Sequence, residues 1–525
     1  MASPTDNLNA NATQEFGTLP EMGCRNRGVR ALIPVAPFAA APQVRCRLVR
    51  DRRVFSGKPG RIVLDVTNIA RWTSPPVGIL RVEQALARYA LAHGSETVLS
   101  FYDPESAAFL GVDSCWAEHV VGWDGGVSGR RGRLRSLVPT PYALVGVLNR
   151  MRSTRPHWVT ADQVDRVRRR LIAASHRRRQ GFVPFRAAIG HRLALQPQDV
   201  VFLVSADWNQ KDAHVLARLK KRFGFRYAIM CHDIIPLLLP QYFATDPTAK
   251  FRQYWEMMFS TADWIFVNSR RTADDVSAYC RRRGISSPQC RVVPLGYDPK
   301  LQTQAGALPP ELAAGRFILF VSTLEPRKGH ALLLRVWERL LAANVPQRHG
   351  FKLVFAGRCG WQMQPLLDRI GGGQFADTVL HLGNADDAEL SALYRAADFC
   401  VYPSQYEGFG LPVVEGFAFG KAVIASTGGA LPETVGDLSP CLDPNNEEQW
   451  FQTLRAWIEN PAERRSYEEK IQAGFRCRTW NEAAAQIFAM VREEMTAHEG
   501  SAFKSPAQAW VDSRPSTPAL LHQDA

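Results

Sequence analysis

From residue 61 onward the chain repeats one unit: an apolar run of strand length, a short loop, then a stretch with helical periodicity. In the second half RFILFVST (316–323), KLVFAG (352–357), TVLHLG (378–383), FCVYPS (399–404) and AVIAST (422–427) are such runs, with helical patterns between them. Runs that are apolar throughout, rather than at alternate positions, suit strands covered on both faces. Strands joined through helices form parallel sheets, so the pattern predicts an α/β chain.

The first half follows the same rule less tidily. RIVLDVTNIA (61–70), ETVLSFY (96–102), VVFLVSADW (200–208), RYAIMCHDIIP (226–236) and WIFVNS (264–269) read as strands, and the half ends at RVVPLGYD (291–298). VGILRVEQALARYALAHG reads as an amphipathic helix closing on Gly94. Pro309 and Pro310 interrupt any element in 300–315, which marks a linker. The expected architecture is two doubly wound, Rossmann-like domains, 59–299 and 316–470, facing a central cleft. A helix within 471–499 (NEAAAQIFAMVREEM) is expected to cross back to the first domain, with 1–58 and 500–525 as disordered tails. In open parallel sheets ligands sit beyond the carboxyl ends of strands, so the loops after strands are where chemistry is sought.

Charge is concentrated in one place. Between Arg130 and Arg192 there are sixteen arginines, no lysine and two acids, Asp162 and Asp165, which accounts for the whole net charge of +14. This Arg-rich insertion (125–195) reads as a solvated helical face, or as a peripheral contact with anionic lipid or a lipid-linked diphosphate acceptor. Trp158, Phe182 and Phe185 lie among the arginines without an RNA-binding signature, which disfavours nucleic acid. Ten cysteines occur without a C-x-x-C pair, which suits neither a disulfide framework nor a zinc site and points to a reducing cytoplasm. No signal peptide or spanning segment is seen, so the expectation is a cytoplasmic protein, soluble or peripheral on the inner face of the cell membrane.

Several motifs are absent or only imitated. GFAFGK (416–421) has three residues between its glycines where a phosphate loop needs four, and Ala422 stands where a magnesium-holding hydroxyl belongs. There is no G-x-G-x-x-G after a strand, no H-E-x-x-H and no D-x-D. These gaps argue against a dinucleotide oxidoreductase, a zinc protease and a metal-dependent glycosyl transfer site.

The most informative stretch is QYEGFGLPVVEGFAFGKAVIAS (405–426). Glu407 lies in a loop where Gly408 and Gly410 permit tight turns, Pro412 fits the first turn of the next helix, and Glu415 is expected in that same turn. Free N–H groups there suit a phosphate, and a carboxylate beside them suits a sugar hydroxyl. In FVSTLEPRKGH, Arg327 and Lys328 follow a strand and precede a helix, placing two cations where they would neutralise a leaving diphosphate.

The frame EGFGLPVVE, followed by GKAVIAS and GALPE, resembles the retaining nucleotide-sugar glycosyltransferases of family 4, the glycosyl transferases group 1, which have the GT-B fold; mannosyltransferases are among the members it suggests. The resemblance is strong over about 315–440, weaker over 61–298, and absent from the tails and the Arg-rich insertion. It implies that Glu415 binds the donor ribose, that Glu407 faces the transferred sugar, and that the backbone at Phe409, Gly410 and Leu411 lies against sugar and phosphate. Lys328 matches the diphosphate-binding lysine. Ser322 and Thr323 stand where many members carry an arginine, and Arg327 is taken as its substitute. His232, after RYAIM, matches the histidine that touches the sugar, although a histidine there also serves simply to bond the backbone. Gly78 matches a glycine at a helix start that approaches the donor. Arg81, Asp207, Trp208 and Ser269, with Asn268, are assigned to the acceptor side.

The expected activity is transfer of a hexose, mannose being one option, from a nucleoside diphosphate sugar to a glycan or lipid-linked acceptor, with no cofactor and no metal. A sugar-nucleotide epimerase on the same fold, and a non-catalytic basic protein binding lipid or RNA, are the alternatives.

Overall fold

The computed structural model describes residues 60–71, 78–112 except 95 and 105, 117, 121, 189–298 except 206, 210 and 244, and 306–499 except 314, 376 and 384. The expected tails at 1–58 and 500–525, and the Arg-rich stretch up to residue 188, lie outside the described residues.

In the N-terminal lobe the sheet order is β4-β3-β2-β1-β5-β6-β7-β8. Its strands are β1 (Ile62–Asp65), β2 (Thr97–Asp103), β3 (Ala108–Val112), β4 (Ile189–Arg192), β5 (Val200–Leu203), β6 (Arg226–Cys231), β7 (Trp264–Val267) and β8 (Cys290–Val292). All neighbours run parallel except β2–β3 and β3–β4. Two expectations change here. The Arg-rich insertion does not extend to residue 195, because Ile189–Arg192 pairs with β3 as an edge strand. The run RIVLDVTNIA is strand only to Asp65, and Thr67–Arg71 is helical. Thr67 ends the strand by local bonding: its hydroxyl donates to Asp65 Oδ1 at 2.6 Å and accepts the Tyr102 N–H at 2.7 Å.

The C-terminal sheet is parallel throughout, in the order β11-β10-β9-β12-β13-β14. Its strands are β9 (Arg316–Val321), β10 (Phe351–Ala356), β11 (Val379–Leu382), β12 (Phe399–Tyr402), β13 (Val423–Ser426) and β14 (Cys441–Leu442). This is the doubly wound order in which the chain reverses direction beside the first strand, here between β9 and β12, and a ligand crevice opens at such a reversal. Phe317 to Phe320 of β9 are wholly buried, in one core with Leu333, Leu334, Val336 and Trp337 of the following helix.

The helix Trp480–Glu499 belongs in space to the other lobe. Ala484, Ile487, Phe488 and Val491 share a core with Ile62, Leu64, Phe202 and Phe266. Trp264 Nε1 donates to Glu494 Oε2 at 2.9 Å, and Arg492 pairs with Glu96. Seven described cysteines, Cys231, Cys280, Cys290, Cys359, Cys400, Cys441 and Cys477, are free thiols. Among the described residues no helix is long and apolar enough to cross a membrane.

Candidate active site

A cleft of about 790 Å³ opens where loops from the two lobes meet. From the N-terminal lobe it is lined by Gly78, Arg81, His232 and Asn268, and from the C-terminal lobe by Ser322, Thr323, Arg327, Lys328, Glu407 to Leu411 and Glu415. Most lining side chains follow the carboxyl ends of strands, as the doubly wound order requires.

The turn after β9 and the loop after β12 meet at one carboxylate. Lys328 Nζ lies 2.6 Å and Arg327 Nη1 3.2 Å from Glu407 Oε1, and the Ser404 hydroxyl donates to the same oxygen. Burial would push the Glu407 carboxyl up, but Lys328 and Arg327 outweigh it and hold it at about 2. Glu407 is therefore an anion at any physiological pH. Burial, and then the neighbouring Arg327, push the Lys328 ammonium down. Lys328 and Arg327 thus bring two buried cations to the cleft wall, where an incoming anion can meet them. Arg327 is also spent on its own lobe, donating to the Tyr406 carbonyl at 2.9 Å and pairing with Glu325 at 3.3 Å.

Gly410, at φ +102°, is the N-cap of the helix Leu411–Ala418, and a Cβ there would sit 2.7 Å from Leu431. Glycine is required on both counts. Glu415 is not in the first turn as expected but at the fifth helical position, and the first turn holds no acid. Free N–H groups do not hold it; side chains do. Tyr394 donates to Oε2 at 2.9 Å and Arg81 Nη1 to Oε1 at 3.1 Å.

His232 is buried and its Nε2 donates to the Val204 carbonyl at 2.7 Å. Burial pushes its pKa down, so the ring is neutral and the acceptor nitrogen is Nδ1. The backbone-bonding role and a place in the cleft wall coexist in this residue. Gly408 packs on it so closely that a Cβ would lie 2.4 Å from the His232 carbonyl oxygen. Gly78, at φ +49°, caps the helix Ile79–His93 with open space around it, so its backbone conformation alone calls for glycine.

The acceptor-side assignments change most. Asp207 is buried with Lys211, which pairs with it and with Asp65 at 2.7 Å, while Asn68 donates to it at 3.1 Å. Trp208 packs edge-on against Phe251 at 4.9 Å, and neither residue lines the cleft. Ser269 caps the helix Arg270–Arg283 and donates to the Gly408 carbonyl at 2.7 Å, so it grips the loop carrying Glu407. Arg81 faces Glu415. Sequence reasoning missed Ser404, Tyr394 and Asp387, because a lone hydroxyl or acid at a helix start carries no motif; Asp386 and Glu389 do form the capping box that D-D-x-E signals.

Residues 311–473 match the family model of the glycosyl transferases group 1. This group 1 region spans the loops of Arg327, Lys328, Glu407 and Glu415. The chain is similar to O-antigen chain mannosyltransferase B of Escherichia coli, 37% identical over 136 residues, covering 26% of this chain and 35% of that protein. It is 32% identical over 211 residues to MMP alpha-(1->4)-mannosyltransferase of Mycolicibacterium hassiacum, covering 39% and 49%. The chain thus matches roughly a third to a half of the length of these curated relatives. Anabaena HepE, solved in complex with UDP and glucose, superposes with a TM-score of 0.51 at 16% identity, over 82% of this chain and 99% of that one. That likeness shows the fold, two Rossmann-like lobes of GT-B type.

Proposed function

We propose that the chain is a retaining glycosyltransferase of family 4 that moves a hexose from a nucleoside diphosphate sugar to a hydroxyl of a glycan or lipid-linked glycan, in the synthesis of a polysaccharide or cell-surface glycan. The observation that carries this reading is the convergence of Lys328 and Arg327 on Glu407 at the cleft wall, with Glu415 in the second turn of the helix that starts there. The names of the relatives favour mannose as the sugar.

In this reading the diphosphate lies over the start of the helix Leu411–Ala418 and beside Lys328. The bond from the anomeric carbon to the diphosphate oxygen breaks, and a bond to the acceptor oxygen forms on the same face. The acceptor proton passes to the departing phosphate oxygen, whose charge Lys328 and the helix N–H groups absorb. Glu407, fixed as an anion, accepts hydrogen bonds from hydroxyls of the sugar, and His232 offers Nδ1 as a second acceptor. Glu415 takes the ribose. The reaction needs no metal and no protein nucleophile, and it takes place on the cytoplasmic side, with a peripheral membrane contact through Arg130–Arg192.

The test is a thermal-shift screen of nucleoside diphosphates and their sugars, since a ligand that binds only the native state raises its melting temperature. Selective stabilisation by one base is expected; none with any of them sinks the proposal. With the donor found, Lys328→Ala is expected to fold normally and to lose about a hundred-fold in turnover. Unchanged turnover removes Lys328 from the chemistry, and a free isomerised sugar made without acceptor points to an epimerase instead.

A further inference from the structure

Arg81 reaches from the start of the helix Ile79–His93 across the cleft and divides its guanidinium between two acids of the other lobe. Nη1 is 3.1 Å from Glu415 Oε1 and Nη2 is 2.7 Å from Asp387 Oδ1. The two acids come from different elements: Asp387 opens the helix that follows β11, and Glu415 lies in the helix that follows β12. The planar fork of an arginine can satisfy two acceptors at once, which the point charge of a lysine does not.

The state of Glu415 gives this link its meaning. Among the described residues each of its oxygens takes one donor, Arg81 on Oε1 and Tyr394 on Oε2. Tyr394 is buried, and burial followed by the Glu415 charge pushes its phenol well up, so it remains a donor. A carboxylate has about four acceptor positions, so two donors fix its plane and leave room for two more. The remaining positions, one on each oxygen, match a pair of neighbouring hydroxyls. Asp387 and Arg81 both line the same cleft as Glu415.

We infer that Arg81 is a positioning residue for the nucleoside end of the donor: it locks the Glu415 carboxylate in the orientation that reads the ribose hydroxyls and ties the N-terminal lobe to that reading. The inference rests on the donor assignment proposed above. It moves Arg81 from the acceptor side to the donor side, and it makes ribose recognition a property of both lobes. Tyr394 alone would leave the carboxylate free to turn about its Cγ–Cδ bond.

Three paired titrations test it: UDP against dUDP, GDP against dGDP and ADP against dADP, each with the full chain by calorimetry. The wild type is expected to prefer one ribonucleotide over its 2′-deoxy partner by about ten-fold, the loss of one charge-assisted hydrogen bond. Arg81→Ala is expected to bind that ribonucleotide about ten-fold more weakly and to bring the ribo/deoxy ratio below about three-fold, a coupling that a merely structural role would not produce. With the matching sugar donor, KM rises while kcat stays within about three-fold. Asp387→Asn, which keeps the Glu415 arm, retains the ribose preference. Should Arg81→Ala fold poorly, Arg81→Lys serves, with an intermediate ratio expected. An Arg81 variant that keeps the wild-type ratio and affinity overturns the inference and leaves the donor reading standing. Wild-type binding with no ribose preference overturns the role of Glu415 and the inference with it. No binding of any diphosphate by the wild type is the failure of the donor reading itself.

Discussion

Glu83 lies in the middle of the helix Ile79–His93, wholly buried, with Oε1 accepting the Ile69 N–H at 2.9 Å. Burial, and then the Asp65 charge, push its carboxyl up to about 8. A raised carboxyl pKa means that the folded state holds the proton more tightly than the unfolded chain. Its contribution is present in full below the unfolded value of about 4.5 and is lost as pH rises through 8. Thermal melts of the wild type are expected to show about 3–4 kcal/mol of stability lost between pH 5 and 8 from this group, the slope approaching about 1.4 kcal/mol per pH unit midway. Glu83→Gln, which keeps the acceptor oxygen and carries no titrating proton, should flatten that slope; an identical slope in the variant means that Glu83 is charged when folded. Nothing in VGILRVEQALARY marks Glu83 as buried, since a glutamate on an amphipathic helix ordinarily faces water. Glu407, Lys328 and Glu415 were legible because glycines and a proline punctuate the loops around them. Asp207 misled for the opposite reason: it follows β5, in the kind of loop where site residues stand, yet its partner Lys211 turns it inward.

At the scale of elements, the alternating pattern was legible because strands covered on both faces carry continuous apolar runs, as in Phe317–Val321 of β9, Leu353–Ala356 of β10 and Phe399–Tyr402 of β12. What sequence did not reveal is where local side-chain bonding ends a run, as Thr67 does after β1, or how an edge strand such as β4 recruits a partner distant in sequence. The loop 405–410 is held from both lobes. Ser269 donates to the Gly408 carbonyl, Glu433 accepts the N–H groups of Arg270 and Arg271 at 3.0 and 3.2 Å, and Tyr406 donates to Asp275. The helix Arg270–Arg283 thereby has two of its N-terminal N–H groups taken up by the opposite lobe, while Ser269 takes a third. Gly408→Ala pushes a methyl to 2.4 Å from the His232 carbonyl, a distance no Cβ tolerates, so the loop must back away and carry Glu407 with it. Turnover is expected to fall at least about a hundred-fold, since misplacement near 1 Å costs that much. Donor binding through Glu415 should change far less. Wild-type turnover in Gly408→Ala would mean that the lobes do not close on this loop during reaction.

For the whole molecule, the order of the chain and the order of folding units differ. The helix Trp480–Glu499 follows the C-terminal lobe in sequence but completes the core of the N-terminal lobe, where Phe488 is fully buried and stacks on Tyr89 at 5.4 Å. The apolar spacing of NEAAAQIFAMVREEM shows that a face must be covered, and the cover it finds is the core of the N-terminal lobe. Removing a buried phenylalanine costs about 3–5 kcal/mol, a large part of a domain's stability. Phe488→Ala should therefore loosen β1, β5 and β7, which lie far from it in sequence, and spare β9 to β13. Leu454→Ala, in the helix Glu447–Glu459 that packs within the C-terminal core, should do the reverse. Hydrogen exchange read strand by strand distinguishes the two, because protection follows the stability of the unit that must open. Protection lost in β9 and β12 on Phe488→Ala would mean that the terminal helix stabilises the lobe it follows, and the two lobes would then unfold as one unit rather than as partners joined by a shared helix.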